Sequence, residues 1–256
     1  MDVLLLRFDA PLMSFGSVLI DQHNKTDTLP YRAMLTGLLA NALGYTRLEE
    51  EKLAALQARL RFSARRDRRG SLLVDYQTVD FDPSGPMASD LGWTTRGQLE
   101  ERKGGEASDG THIRHRHYLA DAVVTVALTL VPAEETPTLR ALGEALRAPA
   151  RPLFIGRKCC LPSVPIWLGE VAAPSLRAAV EMAPRSDRAD PGPMEAIWPP
   201  SEGGEEDTTR LWGRVEDRDP VNDIHVGRRF YVHGAVNPPA LTTTGSETAA
   251  AMTEGA

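Results

Sequence analysis

The stretch Ala122–Leu130 constrains the fold more than any other part of the chain. Val123, Val124, Val126, Leu128 and Leu130 make it the clearest strand signal in the sequence. Val3–Phe8 is a second such run, short and nearly all apolar, and it leads into the loop Asp9–Gly16 punctuated by Pro11 and Gly16. Pro30 precedes a helical stripe of Met34, Leu35, Leu38, Leu39, Ala42 and Leu43, which Gly44 should end. Leu48–Leu60 reads as a second helix, with Leu53, Leu56 and Leu60 inward. Arg61–Gln77 reads as a strand pair turning at Arg69-Gly70, with Arg65, Arg66, Arg68 and Arg69 at a solvated turn. Thr138–Ala148 is an amphipathic helix, and Ile166–Leu168 a short strand.

The order strand, helices, strands, insert, strand, helix, strand suits a ferredoxin-like (RRM-like) α+β palm. Residues 1–77 and 118–180 would form it. Residues 78–117 lack a sustained period, and an insert of that length in a compact domain is usually functional. Residues 181–239 read as an acidic extension with short strands near Trp198 and Trp212 and at Val226–His233. Residues 240–256 hold no core-forming pattern and read as a disordered tail.

A net charge of −6 argues at first against a polyanionic partner. The charge is segregated, however. Eleven acids and five arginines between Glu181 and Asp219 give −6 and residues 220–256 give −1, so the first 180 residues sum to +1 with their cations in clusters. No apolar run approaches the roughly 20 residues of a membrane span, and no secretory leader is apparent, so a cytoplasmic protein is expected. The adjacent Cys159 and Cys160 suit reduced structural thiols better than a disulfide.

Two clusters and one isolated arginine invite chemistry. Gly156-Arg157-Lys158 follows an apolar run, and with Arg151 it offers cations and backbone amides at a turn, a phosphate-binding pattern or an ordinary surface turn. His112-Ile113-Arg114-His115-Arg116-His117-Tyr118, if extended, puts Ile113, His115 and His117 on one face and Arg114, Arg116 and Tyr118 on the other, a stacking platform for single-stranded RNA. The same histidines offer two other readings. One is a metal site, for which carboxylate or cysteine partners are missing nearby. The other is a general base, His117, acting on a ribose hydroxyl with a tyrosine such as Tyr45 or Tyr31. Arg32, in the first turn of the first helix, opposes the helix dipole and hints at an anion. Nucleotide-binding loops, dinucleotide fingerprints, nucleophile elbows and metalloprotease motifs are absent from the sequence. No cofactor is expected.

Five phrases, in order, resemble the CRISPR-associated CasD family. They are Leu6–Gly16, Pro30–Leu39, Asp75–Val79, Arg116–Ala122 and Leu153–Cys159. They depart from the family pattern at Phe15, where the family has tryptophan, at Lys158 for arginine, and in the additional His115 and His117. The resemblance implies a RAMP-superfamily palm with a long β-hairpin thumb at 78–117. It implies a non-catalytic subunit of the type I-E Cascade complex that binds the 5′ handle of crRNA and caps the backbone filament. The backbone subunit and the large PAM-recognising subunit would be its protein partners, with target DNA an indirect one and no membrane involved. Met13, Ser14, Phe15, Gly16, Arg32, Arg114, Arg116, His117, Gly156, Arg157 and Lys158 would surround the RNA. A related type I-C member cuts precursor crRNA itself, which keeps the His117–Tyr45 alternative open.

Overall fold

A computed structural model describes residues 1–17, 22–80, 91–93, 99–101, 111–203, 210–222 and 224–239. In chain order the elements are β1 (Asp2–Asp9), β2 (Leu12–Met13), β3 (His23–Asn24), α1 (Arg32–Leu43), α2 (Glu50–Arg59), β4 (Leu60–Arg68) and β5 (Ser71–Asp80). They continue with β6 (Leu91–Trp93), β7 (Leu99–Glu101), β8 (Thr111–Ala120), β9 (Val123–Leu130), α3 (Leu139–Arg147) and β10 (Trp167–Ala172). The last are α4 (Leu176–Met182), β11 (Met194–Trp198), β12 (Leu211–Asp219) and β13 (Ile224–Val236).

The main sheet runs β10-β1-β9-β4-β11-β13-β12, antiparallel throughout. Strand periodicity of two explains why β1 and β9 are apolar on both faces. Leu4, Leu6, Phe8, Val124, Val126 and Leu128 share one core with Leu35 and Leu39 of α1, Leu56 of α2 and Leu142 of α3. Val3, Leu5 and Ala127 look the other way, onto Leu176, Ala179 and Val180 of α4.

Local signals place the helix ends. Gly44 takes the left-handed conformation (φ 82°) and closes α1 by donating to the carbonyls of Ala40 and Asn41. Thr138 and Ser175 cap α3 and α4 by accepting from Ala141 N and Ala178 N. The second helix stops at Arg59, because Leu60 already pairs with Leu130 as the first residue of β4.

Two expectations change. β4 and β5 are both strands, yet they do not pair with each other: β4 joins β9, while β5 joins β8 in a second sheet. The arginines before the turn are therefore not a solvated cluster. Arg65 is fully buried, forking onto Asp67 (2.6 and 3.1 Å) and donating to the carbonyls of Val180, Ala183 and Pro184. Arg66 pairs with Glu195 at 2.5 Å, and Arg68 with Asp121. The second change concerns the acidic segment. Far from standing apart, it supplies β11, β12 and β13 to the main sheet. Its carboxylates are partly spent inside the molecule, with Asp217 on Arg32 and Arg229, and Glu216 buried beside Arg214.

The insert forms a hairpin whose arms, β5 and β8, pair from Ser71–Ala120 to Asp80–Thr111, so it begins before residue 78. β6 and β7 make a separate two-stranded ladder. The rest of the insert, residues 204–209 and the tail 240–256 lie outside the described residues. Among the described residues no helix is long and apolar enough to cross a membrane.

Candidate nucleic-acid interface

Four segments remote in sequence meet at the base of the hairpin. Gly156 (φ 87°) presses against the first loop so closely that a Cβ there would lie 1.6 Å from the carbonyl oxygen of Ser14, and Ser14 N donates to Ile155 O at 3.2 Å. No other residue fits this approach. Arg157 then crosses to the hairpin, its guanidinium 4.6 Å from the centre of the Tyr118 ring. It donates to the carbonyls of His117 (3.1 Å) and Asn24 (2.9 Å). β2 pairs with β8 at Leu12–Ala120 and Met13–Leu119, and β3 runs parallel to β8 at His23–His115 and Asn24–Arg116.

The surface so formed is cationic and rich in imidazole. His23 stacks on His115 (4.7 Å) and meets His117 edge-on (6.2 Å), and Tyr76 of β5 meets His115 at 5.3 Å. Lys25 and Lys158 are exposed beside them. The His117 pKa is held below its ordinary value, first by burial and then by the positive charge of His23, Lys25, Arg157 and His115. An anion placed here would relieve that repulsion.

Of the residues expected from sequence, Gly156, Arg157, Lys158, His117, Arg116 and the Met13–Gly16 loop belong to this junction. Their roles differ from the simple expectation. Met13 and Phe15 are buried, Phe15 packing on Phe8 at 6.1 Å, so the loop presents backbone rather than an aromatic face. Ser14 is also buried. Tyr118 is buried under Arg157, with its hydroxyl 3.5 Å from Cys159 Sγ, and so offers no open stacking face. Arg116 is half-buried, its Nε without a hydrogen-bond partner, and Arg114 lies opposite Gln77 on β5.

Arg32 does not join this group. It is 2% exposed and forks onto Asp217 of β12 through Nε (2.7 Å) and Nη2. Tyr45 also lies elsewhere, after α1, with Lys52 over its ring and Arg151 on its carbonyl. None of its described contacts is to His117. Tyr31 is held by Asp27 (3.0 Å). The pairing of His117 with either tyrosine is therefore not assembled. No group of three or more His, Cys, Asp or Glu among the described residues is arranged to hold a metal ion. Both cysteines are free, and burial pushes the Cys160 thiol up to about 11.

His23, Asn24, Lys25 and Tyr76 were missed from sequence. β3 is only two residues long and pairs in parallel across a large separation, which leaves no local period to read.

The sequence profile described as "CRISPR-associated protein (Cas_Cas5)" matches residues 3–233, and the chain belongs to that family. It is 31% identical over 170 residues to the "CRISPR system Cascade subunit CasD" of Escherichia coli strain K12, covering 66% of this chain and 71% of that protein. It resembles a chain of a "CRISPR RNA-guided surveillance complex" with a TM-score of 0.64 and 26% identity, covering 93% and 91% of the two chains. A second solved structure, "Crystal structure of Cas protein", matches with a TM-score of 0.59 and 28% identity over 91% and 94%.

Proposed function

We propose that this chain is a non-catalytic subunit of a type I-E Cascade complex, binding the 5′ handle of crRNA and capping the backbone filament. The observation that carries this reading is the junction tied by Arg157. It gathers Lys25, Lys158 and three histidines around a glycine turn, where backbone and cations can meet phosphates together. The family relationship supports the assembly, because the E. coli relative is a Cascade subunit by name. The strand order β10-β1-β9-β4, all antiparallel with α1, α2 and α3 on one face, is what a ferredoxin-like palm requires. The hairpin exposes Leu72, Leu73, Val74 and Tyr76 on β5, an apolar surface fit for the first backbone subunit. The large PAM-recognising subunit would lie beyond it, and target DNA would be reached only through these partners.

Lys25→Ala with Lys158→Ala removes two exposed cations without touching the Arg157 contacts. Retention of crRNA in the assembled complex should weaken, and the salt slope of binding should fall by about 0.7 per lost phosphate contact. Adding Arg157→Ala should deepen the loss. Unchanged retention at elevated salt in both variants would sink the assignment.

The endoribonuclease reading keeps one observation in its favour: a depressed pKa leaves His117 in its basic form near neutrality. Incubation with the cognate repeat RNA in EDTA separates the two. Intact RNA is the expected result, whereas a single cut lost in His117→Ala would replace the proposal.

A further inference from the structure

A second cationic pocket lies where β11 stops. Pro199-Pro200 ends that strand, and beyond it β4 and β13 continue on either side of an opening of about 390 Å³. Cavities that hold small ligands run from about 300 to 1,000 Å³, so the volume suits a nucleotide unit. Leu60, Arg61 and Phe62 line one wall, Arg228 to Tyr231 the other, Pro199 to Ser201 the mouth, and Arg32 the interior.

The charges here are unbalanced. Four arginines, Arg32, Arg61, Arg228 and Arg229, face the opening. One carboxylate, Asp217, is shared between Arg32 and Arg229. Among the described residues Arg61 donates only to the carbonyls of Ala58 and Leu60, and no carboxylate pairs with Arg228. Burial, followed by repulsion from Arg32 and Arg229, holds the Arg61 pKa below its ordinary value. Arg32 is 2% exposed, and its Nη1 has no hydrogen-bond partner. Enclosed in this way, Arg32 adds positive potential beside the pocket without presenting that nitrogen to a ligand. Phe230, which also lines the pocket, stands 51% exposed.

We propose that this pocket binds a phosphate of single-stranded nucleic acid, with Arg61 and Arg228 as its contacts and Phe230 stacking on the attached base. Guanidinium forks match phosphate oxygens, and an exposed ring beside them is how unpaired bases are held without sequence preference. The site shares no residue with the Arg157 junction and stands or falls independently of it. An acidic peptide laid along the open strand edges is the competing occupant, but it would leave Phe230 without a role.

The test uses the full chain and a short oligouridylate carrying 5-iodouridine, with crosslinks mapped by mass spectrometry. Crosslinks should fall on the peptide holding Arg228–Tyr231 and survive in the Lys25→Ala, Lys158→Ala variant. Arg228→Glu should weaken that labelling roughly tenfold, the loss of one charge-assisted contact. Phe230→Leu should reduce the crosslink yet leave the salt slope intact. Both side chains are exposed, so thermal melting should show folding unchanged. Protection by inorganic phosphate or uridine monophosphate as efficient as by unlabelled oligomer would assign the phosphate to a free nucleotide rather than a strand. Absence of crosslinks at 228–231, or protection by an acidic peptide alone, would overturn the proposal.

Discussion

β9 and β5 are both long, apolar-rich strands, and they meet opposite fates. Every residue of β9 is buried, sandwiched between α1–α3 and α4. β5 leaves Leu72, Leu73, Val74 and Tyr76 between 40% and 61% exposed. Among the described residues the main sheet is covered on both faces at β9, whereas the hairpin sheet leaves apolar side chains of β5 exposed. The contrast concentrates stability in the first and, under the proposed function, assigns assembly to the second.

The sharpest way to break that contrast is Asp67→Ala. Asp67 is fully buried and accepts from Arg65, from Thr125 Oγ1 (3.1 Å) and from Ser186 N (3.0 Å). Its removal strands the Arg65 charge in the core and should cost about 3–5 kcal/mol, read by denaturant unfolding. A loss below about 1 kcal/mol would mean that the main sheet is not where stability is concentrated.

A smaller effect lies at the far edge of the same sheet. Burial raises the Glu216 pKa from an ordinary 4.5 to about 7, against the opposing influence of Arg214 and the hydrogen bond from Tyr231 (2.6 Å). The folded chain then holds a proton that the unfolded chain has released, so stability falls as pH rises from 4.5 to about 7. Melting should be lower at pH 8 than at pH 5. Glu216→Gln should shrink the difference, with each kcal/mol recovered worth about 2–4 °C in Tm. An unaltered pH dependence in the variant would place the titrating group elsewhere.

Smallest in stability, and most telling for assembly, is the double change Leu72→Ser and Val74→Ser. Exposed positions should shift unfolding by no more than about 0.5 kcal/mol each. Co-purification with the backbone subunit should nonetheless be lost. A variant that melts early yet still assembles would invert the comparison.

Much of the frame was legible beforehand because its signals are local. β1, β9, α1, α3 and the Gly44 stop follow from period and capping over a few residues. Gly156-Arg157-Lys158 stood out through residue type alone. Arg65 and Arg32 misled for a shared reason. A charge in a sequence looks available to solvent or an anion until its partners are known; Arg65 finds carbonyls at residue 180 and beyond besides the nearby Asp67, and Arg32 finds Asp217. Likewise the acidic stretch read as an extension because its strand signals were weak, yet β11 pairs with β4 and so joins β13 and β12 to the main sheet.

By itself the sequence determined the alternation of strands and helices, the polarity of their faces and the glycines that permit sharp turns, since these depend on neighbours within a turn or two. Only the tertiary structure decided which arginines are buried and which remain available to a ligand. That choice rests on the cost of burying a charge, which is met or not by groups brought from elsewhere in the chain. Arg157 organises one surface through carbonyls, Arg65 locks a core through carbonyls and a carboxylate, and Arg32 is enclosed against Asp217 of a distant strand.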